Sequence, residues 1–267
     1  MPIFDEFSAF LAANPRAVRV TIGSVKGSAP RERDAVMLVG PDGIVGTIGG
    51  GQLEFMAIAK AHAMLESGEA GTMLDVPLGP EIGQCCGGRV EVALTPVDDA
   101  LAGDILDAAR ASDTARPQVY VFGAGHVGKA LYVQLSLLPV EAILADTRAE
   151  AVAPFAGDPN VRHVAMPETL IEEARPGAAF VVMTHDHGLD FLLTSAALQR
   201  TDAAYAGMIG SKTKRASFAS RFLDEGGSRE QLGRLICPIG ASSLDDKRPE
   251  VIAAMTAAEI LRAVLKR

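Results

Sequence analysis

At 267 residues the chain has room for two modest domains, and 48% hydrophobic with 22% charged residues is the make-up of an ordinary globular protein. A net charge of −8 argues against a nucleic-acid backbone or an anionic membrane as the main partner, and no apolar run reaches membrane-spanning length. The start, Met1-Pro2-Ile3-Phe4-Asp5-Glu6-Phe7, is acidic where a signal peptide is basic, and three cysteines, two of them adjacent, make no disulfide framework, so a reducing cytoplasmic compartment is expected.

Residues 4–13 read as a short amphipathic helix stopped by Asn14-Pro15. Val18 and Val20 alternate with Arg19 and Thr21, which predicts a strand over 17–24. A polar loop leads from it to a second strand, 35–39. Gly40-Pro41-Asp42-Gly43 then turns the chain into a third, 44–48. Gly49-Gly50-Gly51 precedes a helix expected over 53–66. Three successive glycines cost chain entropy, so the backbone there must pass close to something, either a ligand or a neighbouring strand. Strands are expected at 72–76 and 89–94, with Gly83-Gln84-Cys85-Cys86-Gly87-Gly88 between them. A helix from 98 and a polar stretch to Pro117 predict a linker, giving a smaller N-terminal α+β domain over 1–97, a helical linker over 98–117 and a second domain over 118–267.

The second domain alternates strand and helix, with strands at 119–122, 140–145, 161–164, 179–184, 203–208 and 235–236, and a last helix near 248–265. That order predicts a Rossmann-like parallel sheet with right-handed crossovers. Its first turn is Gly123-Ala124-Gly125-His126-Val127-Gly128. Gly123 permits the tight turn, Gly125 opens the backbone to a pyrophosphate and Gly128 lets helix and strand pack closely. Asp146 stands where an acidic residue meets a ribose hydroxyl, or else it caps the next helix. His126 is bulky for a dinucleotide turn and is placed either to crowd a pyrophosphate or to touch another anion.

Other groups fall on strand ends that face a ligand crevice. His185-Asp186-His187 offers either a loose metal-binding pattern or, the plainer reading, a helix cap with polar lining. Ser211 and Lys212, with Lys214 and Arg215 beyond, open another helix and suit an anion, or equally a capped, solvated surface helix. Cys237 is either a ligand or a buried thiol. Cys85 and Cys86, beside Gln84, are too close for both thiolates to chelate one metal in a structural zinc site. A thiol in that glycine-rich loop suits a soft-metal ligand or a sulfur-handling group. No nucleophile elbow, zincin motif, Walker loop or catalytic triad is present.

These motifs, taken together, resemble the XdhC/CoxI family of xanthine dehydrogenase accessory proteins. The resemblance is carried by Gly27-Ser28-Ala29-Pro30-Arg31, Gly46-Thr47-Ile48-Gly49-Gly50-Gly51 with Glu54, and Gly83-Gln84-Cys85-Cys86-Gly87-Gly88. In the second half it is carried by Phe122-Gly123-Ala124-Gly125-His126-Val127-Gly128, Thr184-His185-Asp186-His187 with Asp190, Gly207-Met208-Ile209-Gly210-Ser211-Lys212 and Cys237-Pro238-Ile239-Gly240. The link 241–247 is longer and more polar than the resemblance leads one to expect. The resemblance implies binding of molybdenum cofactor, as molybdopterin or its nucleotide-extended form. It also implies help in sulfuration with a cysteine desulfurase, and delivery to a xanthine dehydrogenase-type molybdoenzyme. On that reading Cys85 or Cys86 touches molybdenum or its terminal sulfur, and the glycine turns and Ser211-Lys212 hold phosphate. Two other functions fit parts of the pattern. One is an NAD(P)-dependent oxidoreductase, with His126 or His185 as acid/base and Asp146 selecting NAD. The other is a sulfur transferase carrying a persulfide on Cys85, Cys86 or Cys237. Two-fold dimers are the commonest oligomers of soluble proteins, so a homodimer is expected.

Overall fold

The computed structural model describes residues 3–26, 35–78, 88–240 and 246–265. The chain divides into two compact units, Met1–Ala115 and Arg116–Arg267.

The first unit holds α1 (Ile3–Ala13), β1 (Val18–Lys26), β2 (Val36–Val39), β3 (Ile44–Gly46), α2 (Gly51–Ser67), β4 (Thr72–Leu78), β5 (Gly88–Pro96) and α3 (Asp99–Ala115). The strands form one antiparallel sheet in the order β3-β2-β1-β5-β4. Alternation decides which side chain goes where. Val18, Val20 and Ile22 of β1 and Met37 and Val39 of β2 pack with Leu53, Ala57, Ala61 and Met64 of α2. Leu38, pointing the opposite way, packs with Phe7 of α1 and Ile105 and Ala109 of α3. The sheet is thus covered on both faces.

The helix expected within the linker 98–117 forms as α3, and α3 falls inside the first unit. The reason is physical: α1 carries Phe4, Phe7 and Phe10, and α3 supplies the apolar stripe that covers them, Leu101, Ile105 and Ala109. Asp113 also caps α1, its carboxylate accepting from the backbone N–H groups of Ile3 at 3.0 Å and Phe4 at 2.8 Å. The Arg110 guanidinium lies 4.4 Å from the centre of the Phe4 ring.

The second unit runs β6 (Gln118–Phe122), α4 (His126–Leu135), β7 (Glu141–Asp146), α5 (Ala149–Val152), β8 (Val161–His163), α6 (Glu168–Glu173), β9 (Ala179–Val182), α7 (His187–Gln199), β10 (Tyr205–Met208), α8 (Lys212–Asp224), α9 (Arg229–Gly233), β11 (Leu235–Ile236) and α10 (Pro249–Val264). Its strands are all parallel, in the order β11-β10-β9-β6-β7-β8. This is the doubly wound Rossmann order, with its switch point between β6 and β9. The expected fold class, a Rossmann-like parallel sheet with a smaller N-terminal α+β domain, is what the chain adopts. One face of the sheet packs Tyr120, Phe122, Phe180 and Val182 against Leu193 and Ala197 of α7 and Phe218 and Phe222 of α8. The other packs Val119, Val121 and Val181 against Leu131 and Leu135 of α4 and Ala253, Ala257 and Ile260 of α10. The near-continuous apolar strands follow from burial on both faces. Among the described residues no helix is long and apolar enough to cross a membrane.

Candidate functional site

A parallel sheet brings the carboxyl ends of its strands to one edge, and the predicted site residues of the second unit gather there. The three glycines of the β6–α4 turn have separate jobs. Gly123 has φ +114°, and a Cβ there would stand 2.3 Å from the Met183 carbonyl oxygen. A Cβ on Gly128 would stand 1.8 Å from the Gly123 carbonyl oxygen. Gly123 is demanded by its positive φ and the close passage of the chain after β9, and Gly128 by the close approach of α4 to the turn. A Cβ on Gly125 would meet nothing within 4 Å. That open face is where a ligand can reach the backbone. No side chain caps α4, whose first residue, His126, is exposed, so its positive dipole end is left for an anion.

Asp146, at the end of β7, is only 5% exposed and faces this turn. Its Oδ2 accepts from the Ala124 N–H at 2.7 Å and from Nη2 of Arg148 at 2.9 Å; its Oδ1 accepts from the N–H of Arg148 at 2.9 Å and its Nε at 3.0 Å. Burial pushes the Asp146 carboxyl up, but the Arg148 guanidinium and the Ala124 and Arg148 amides outweigh it and hold the group below its ordinary value. Asp146 does not cap the next helix, since α5 starts from Arg148 with no side-chain cap; it faces the glycine turn and ties down the loop into α5 instead. A shallow cleft beside it is walled by Phe122, Pro167, Leu189 and Leu193, with Thr147 and Thr184 at its polar side.

Across the switch point Asp190 is wholly buried. Its Oδ1 accepts from the Thr184 N–H at 2.8 Å and the Thr184 hydroxyl at 2.7 Å, and its Oδ2 is paired with the Lys214 ammonium. Gly210 makes room for that lysine, since a Cβ there would stand 2.7 Å from Lys214 Cδ. His185, Asp186 and His187 are exposed, and Asp186 caps α7 by accepting from the Leu189 N–H at 2.7 Å. This is the plainer of the two readings given to that tripeptide. Ser211 caps α8, accepting from the Lys214 N–H at 3.2 Å, and Lys212 is exposed. Cys237 is buried; burial pushes its thiol up, against the opposing pull of Lys214 and Arg215.

Gln84, Cys85 and Cys86 lie outside the described residues, as do 27–31 of the first motif. Among the described residues no cluster of three His, Cys, Asp or Glu side chains is placed to hold a metal ion.

The triple glycine of the first unit has an internal explanation. Gly49, Gly50 and Gly51 all have positive φ, at 126°, 79° and 69°. The backbone so coiled aims its N–H groups at a carboxylate of its own chain. Oε2 of Glu54 accepts from Ile48 N at 3.1 Å, Gly50 N at 3.0 Å and the Thr47 hydroxyl at 2.6 Å. A Cβ on Gly50 would meet nothing within 4 Å; it is Gly46, before the triple and with φ +77°, that passes close to a neighbouring strand, since a Cβ there would lie 2.3 Å from the Val36 carbonyl oxygen. Burial pushes the Glu54 carboxyl up, but the Thr47 hydroxyl and the Gly50, Ile48 and Gly49 amides together hold it below its ordinary value. A depressed folded-state pKa gives stability that is present above the unfolded value, about 4.3, and is lost as pH falls through the folded one. Glu54→Gln is therefore expected to destabilise by about 1–2 kcal/mol at pH 7. In urea unfolding at stepped pH that deficit should shrink below about pH 4. A deficit that stays constant down to pH 3 would contradict the carboxylate's role.

The sequence matches the XdhC Rossmann domain over residues 119–260 and the XdhC and CoxI family over residues 10–76. The chain belongs to the XdhC family. It is 27% identical over 271 residues to the uncharacterized protein YqeB of Escherichia coli (strain K12). That alignment takes in 98% of this chain and 46% of YqeB, so the chain spans about half the length of this relative. A crystal structure of a xanthine dehydrogenase from Bacillus halodurans shares the fold with a TM-score of 0.82, covering 100% of this chain and 97% of that one. At 19% identity that likeness concerns the fold alone. Within the XdhC frame, Arg148 and the Thr184–Asp190–Lys214 cluster stand out as polar groups of the crevice edge whose pairings sequence reasoning did not give.

Proposed function

We propose that this XdhC-family chain is an accessory protein to a xanthine dehydrogenase-type molybdoenzyme, carrying molybdenum cofactor as cargo in the cytoplasm. It shields the cofactor, supports its sulfuration by a cysteine desulfurase and hands it to the apoenzyme. The observation that carries this reading is the β6–α4 turn: an uncapped helix start with an open Gly125, which suits the phosphate of molybdopterin or of its nucleotide-extended form. Cys85 and Cys86, with Gln84, are the candidates to meet molybdenum or its terminal sulfur, because a thiolate is a soft ligand. His126, His185, Asp186, His187, Ser211 and Lys212 are polar groups available to line the crevice, and a homodimer is the assembly expected.

The oxidoreductase reading is weaker on one observation. It asks Asp146 for a free carboxylate to hold ribose, and that carboxylate is engaged by Arg148 and Ala124. In the carrier reading no residue of this chain turns over substrate. The chain binds the phosphate, keeps water from the cargo and presents a thiol.

The thiol role is tested with Cys85→Ala, Cys86→Ala and the double variant, loaded anaerobically with molybdenum cofactor and passed through gel filtration. Molybdenum and pterin co-eluting with the protein should fall about tenfold or more in at least one variant, with the melting temperature within 2 °C of wild type, roughly the shift of a surface change. Retention equal to wild type in all three would remove the cysteines from the site.

A further inference from the structure

The Rossmann unit carries its own occupant of the position where a sugar diol binds. In this fold the acidic residue at the end of the second strand accepts hydrogen bonds from ribose hydroxyls. A carboxylate has about four acceptor positions. On Asp146 four are taken: by Ala124 N, Arg148 N, Arg148 Nε and Arg148 Nη2, at 2.7–3.0 Å. A ribose diol, which must donate to that carboxylate, finds no acceptor left unless the guanidinium leaves.

A phosphate meets a different surface. The Arg148 side chain is 35% exposed, and its fork is held by Asp146 through Nε and Nη2, leaving the Nη1 edge without a partner among the described residues. Asp146 also binds the Ala124 N–H inside the glycine turn, so the guanidinium stands one carboxylate away from the open Gly125 face and the uncapped start of α4. Two positive features therefore lie on either side of the Asp146 carboxylate, the guanidinium and the start of α4, and both accept an anion.

We propose that Arg148 is the specificity-determining residue of this crevice: it withholds Asp146 from a bare ribose diol and offers its guanidinium to a phosphate monoester. This deepens the cargo reading above, and rests on it only for the pterin as one source of that phosphate. The other source is a nucleotide phosphorylated on its ribose.

Two ligand pairs differing by one phosphate test the idea: 2′,5′-ADP against 5′-AMP, and molybdopterin with against without its terminal phosphate. Each is titrated calorimetrically into full-length wild type, Arg148→Gln and Arg148→Lys, after melting curves confirm that all three fold. In at least one pair the wild type should favour the phosphorylated member about tenfold or more, as a charge-assisted hydrogen bond implies. Arg148→Gln should bring that ratio to within about twofold, with 5′-AMP gaining affinity as Asp146 is freed, and Arg148→Lys should keep part of the preference. The pair that discriminates identifies the source. If neither pair shows a preference that depends on Arg148, the inference is overturned. Equal binding of both molybdopterin forms without nucleotide discrimination overturns it while leaving the cargo reading standing. Discrimination confined to the nucleotides, with molybdopterin unbound, does the reverse.

Discussion

Lys214→Met is expected to destabilise the protein by about 3–5 kcal/mol, because it leaves a buried carboxylate without its counter-charge. Asp190 is 0% exposed, and with the lysine gone only the N–H and hydroxyl of Thr184, among the described residues, remain on it. Asp190→Ala should cost less. Lys214, at 13% side-chain exposure, ends a flexible stem that crosses Gly210 and can turn outward, although the Thr184 donors then lose their acceptor. Removing both charges together should cost well below the sum of the single changes, since an intact buried pair need not be more stable than apolar groups of like volume. Urea unfolding of the four proteins measures the coupling. Additive costs, or a Lys214→Met penalty under about 1 kcal/mol, would show that the pair is not the tightly coupled unit its burial implies.

The glycine turn gives the second large effect, as a contrast between two positions three residues apart. Gly128→Ala puts a methyl group 1.8 Å from the Gly123 carbonyl oxygen, a backbone atom that cannot swing aside. The helix or the turn must shift, and a loss of about 3 kcal/mol or more is expected. Gly125→Ala meets nothing within 4 Å and keeps φ at −75°, so its stability cost should stay within about 1 kcal/mol, the ordinary effect of alanine at a helix N-cap. It nevertheless places a methyl group on the face a phosphate would approach, and should weaken anion binding. Thermal unfolding and phosphate-ligand titration of both variants separate the two roles. A stable Gly128→Ala protein would contradict the close helix–sheet approach, and unchanged binding in Gly125→Ala would deny that its open face receives a ligand.

Much of this arrangement was legible in the chain because its cause is local. Strand, glycine turn and helix follow one another from Val119 to Leu135, and the largely apolar run 140–145 places Asp146 at a strand end without any tertiary knowledge. Parallel order follows from strand–helix alternation, which leaves few topologies. The family, too, was readable from ordered motifs in both halves.

What was hidden depends on neighbours distant in sequence or on which of two partners a group takes. Asp190 and Lys214 lie 24 residues apart and meet only because β9 and β10 are adjacent in the sheet. The helix over 99–115 was legible, but not its place in the first unit, because nothing in its own sequence says that Phe4, Phe7 and Phe10 need covering. Three glycines at 49–51 signal a coiled backbone, but not that it closes on Glu54. Arg148 is two residues from Asp146, yet a guanidinium at that spacing folds back onto the carboxylate only in the turn that starts α5.

The most direct measurement of the central claim is anaerobic titration of the pure protein with molybdenum cofactor, run in parallel with NAD(H) and NADP(H). Cofactor accessory function predicts stoichiometric cofactor binding and no nicotinamide turnover with hydride donors or acceptors. Nicotinamide binding with turnover, and no retention of the molybdenum cofactor, would contradict it and leave the XdhC fold serving an oxidoreductase.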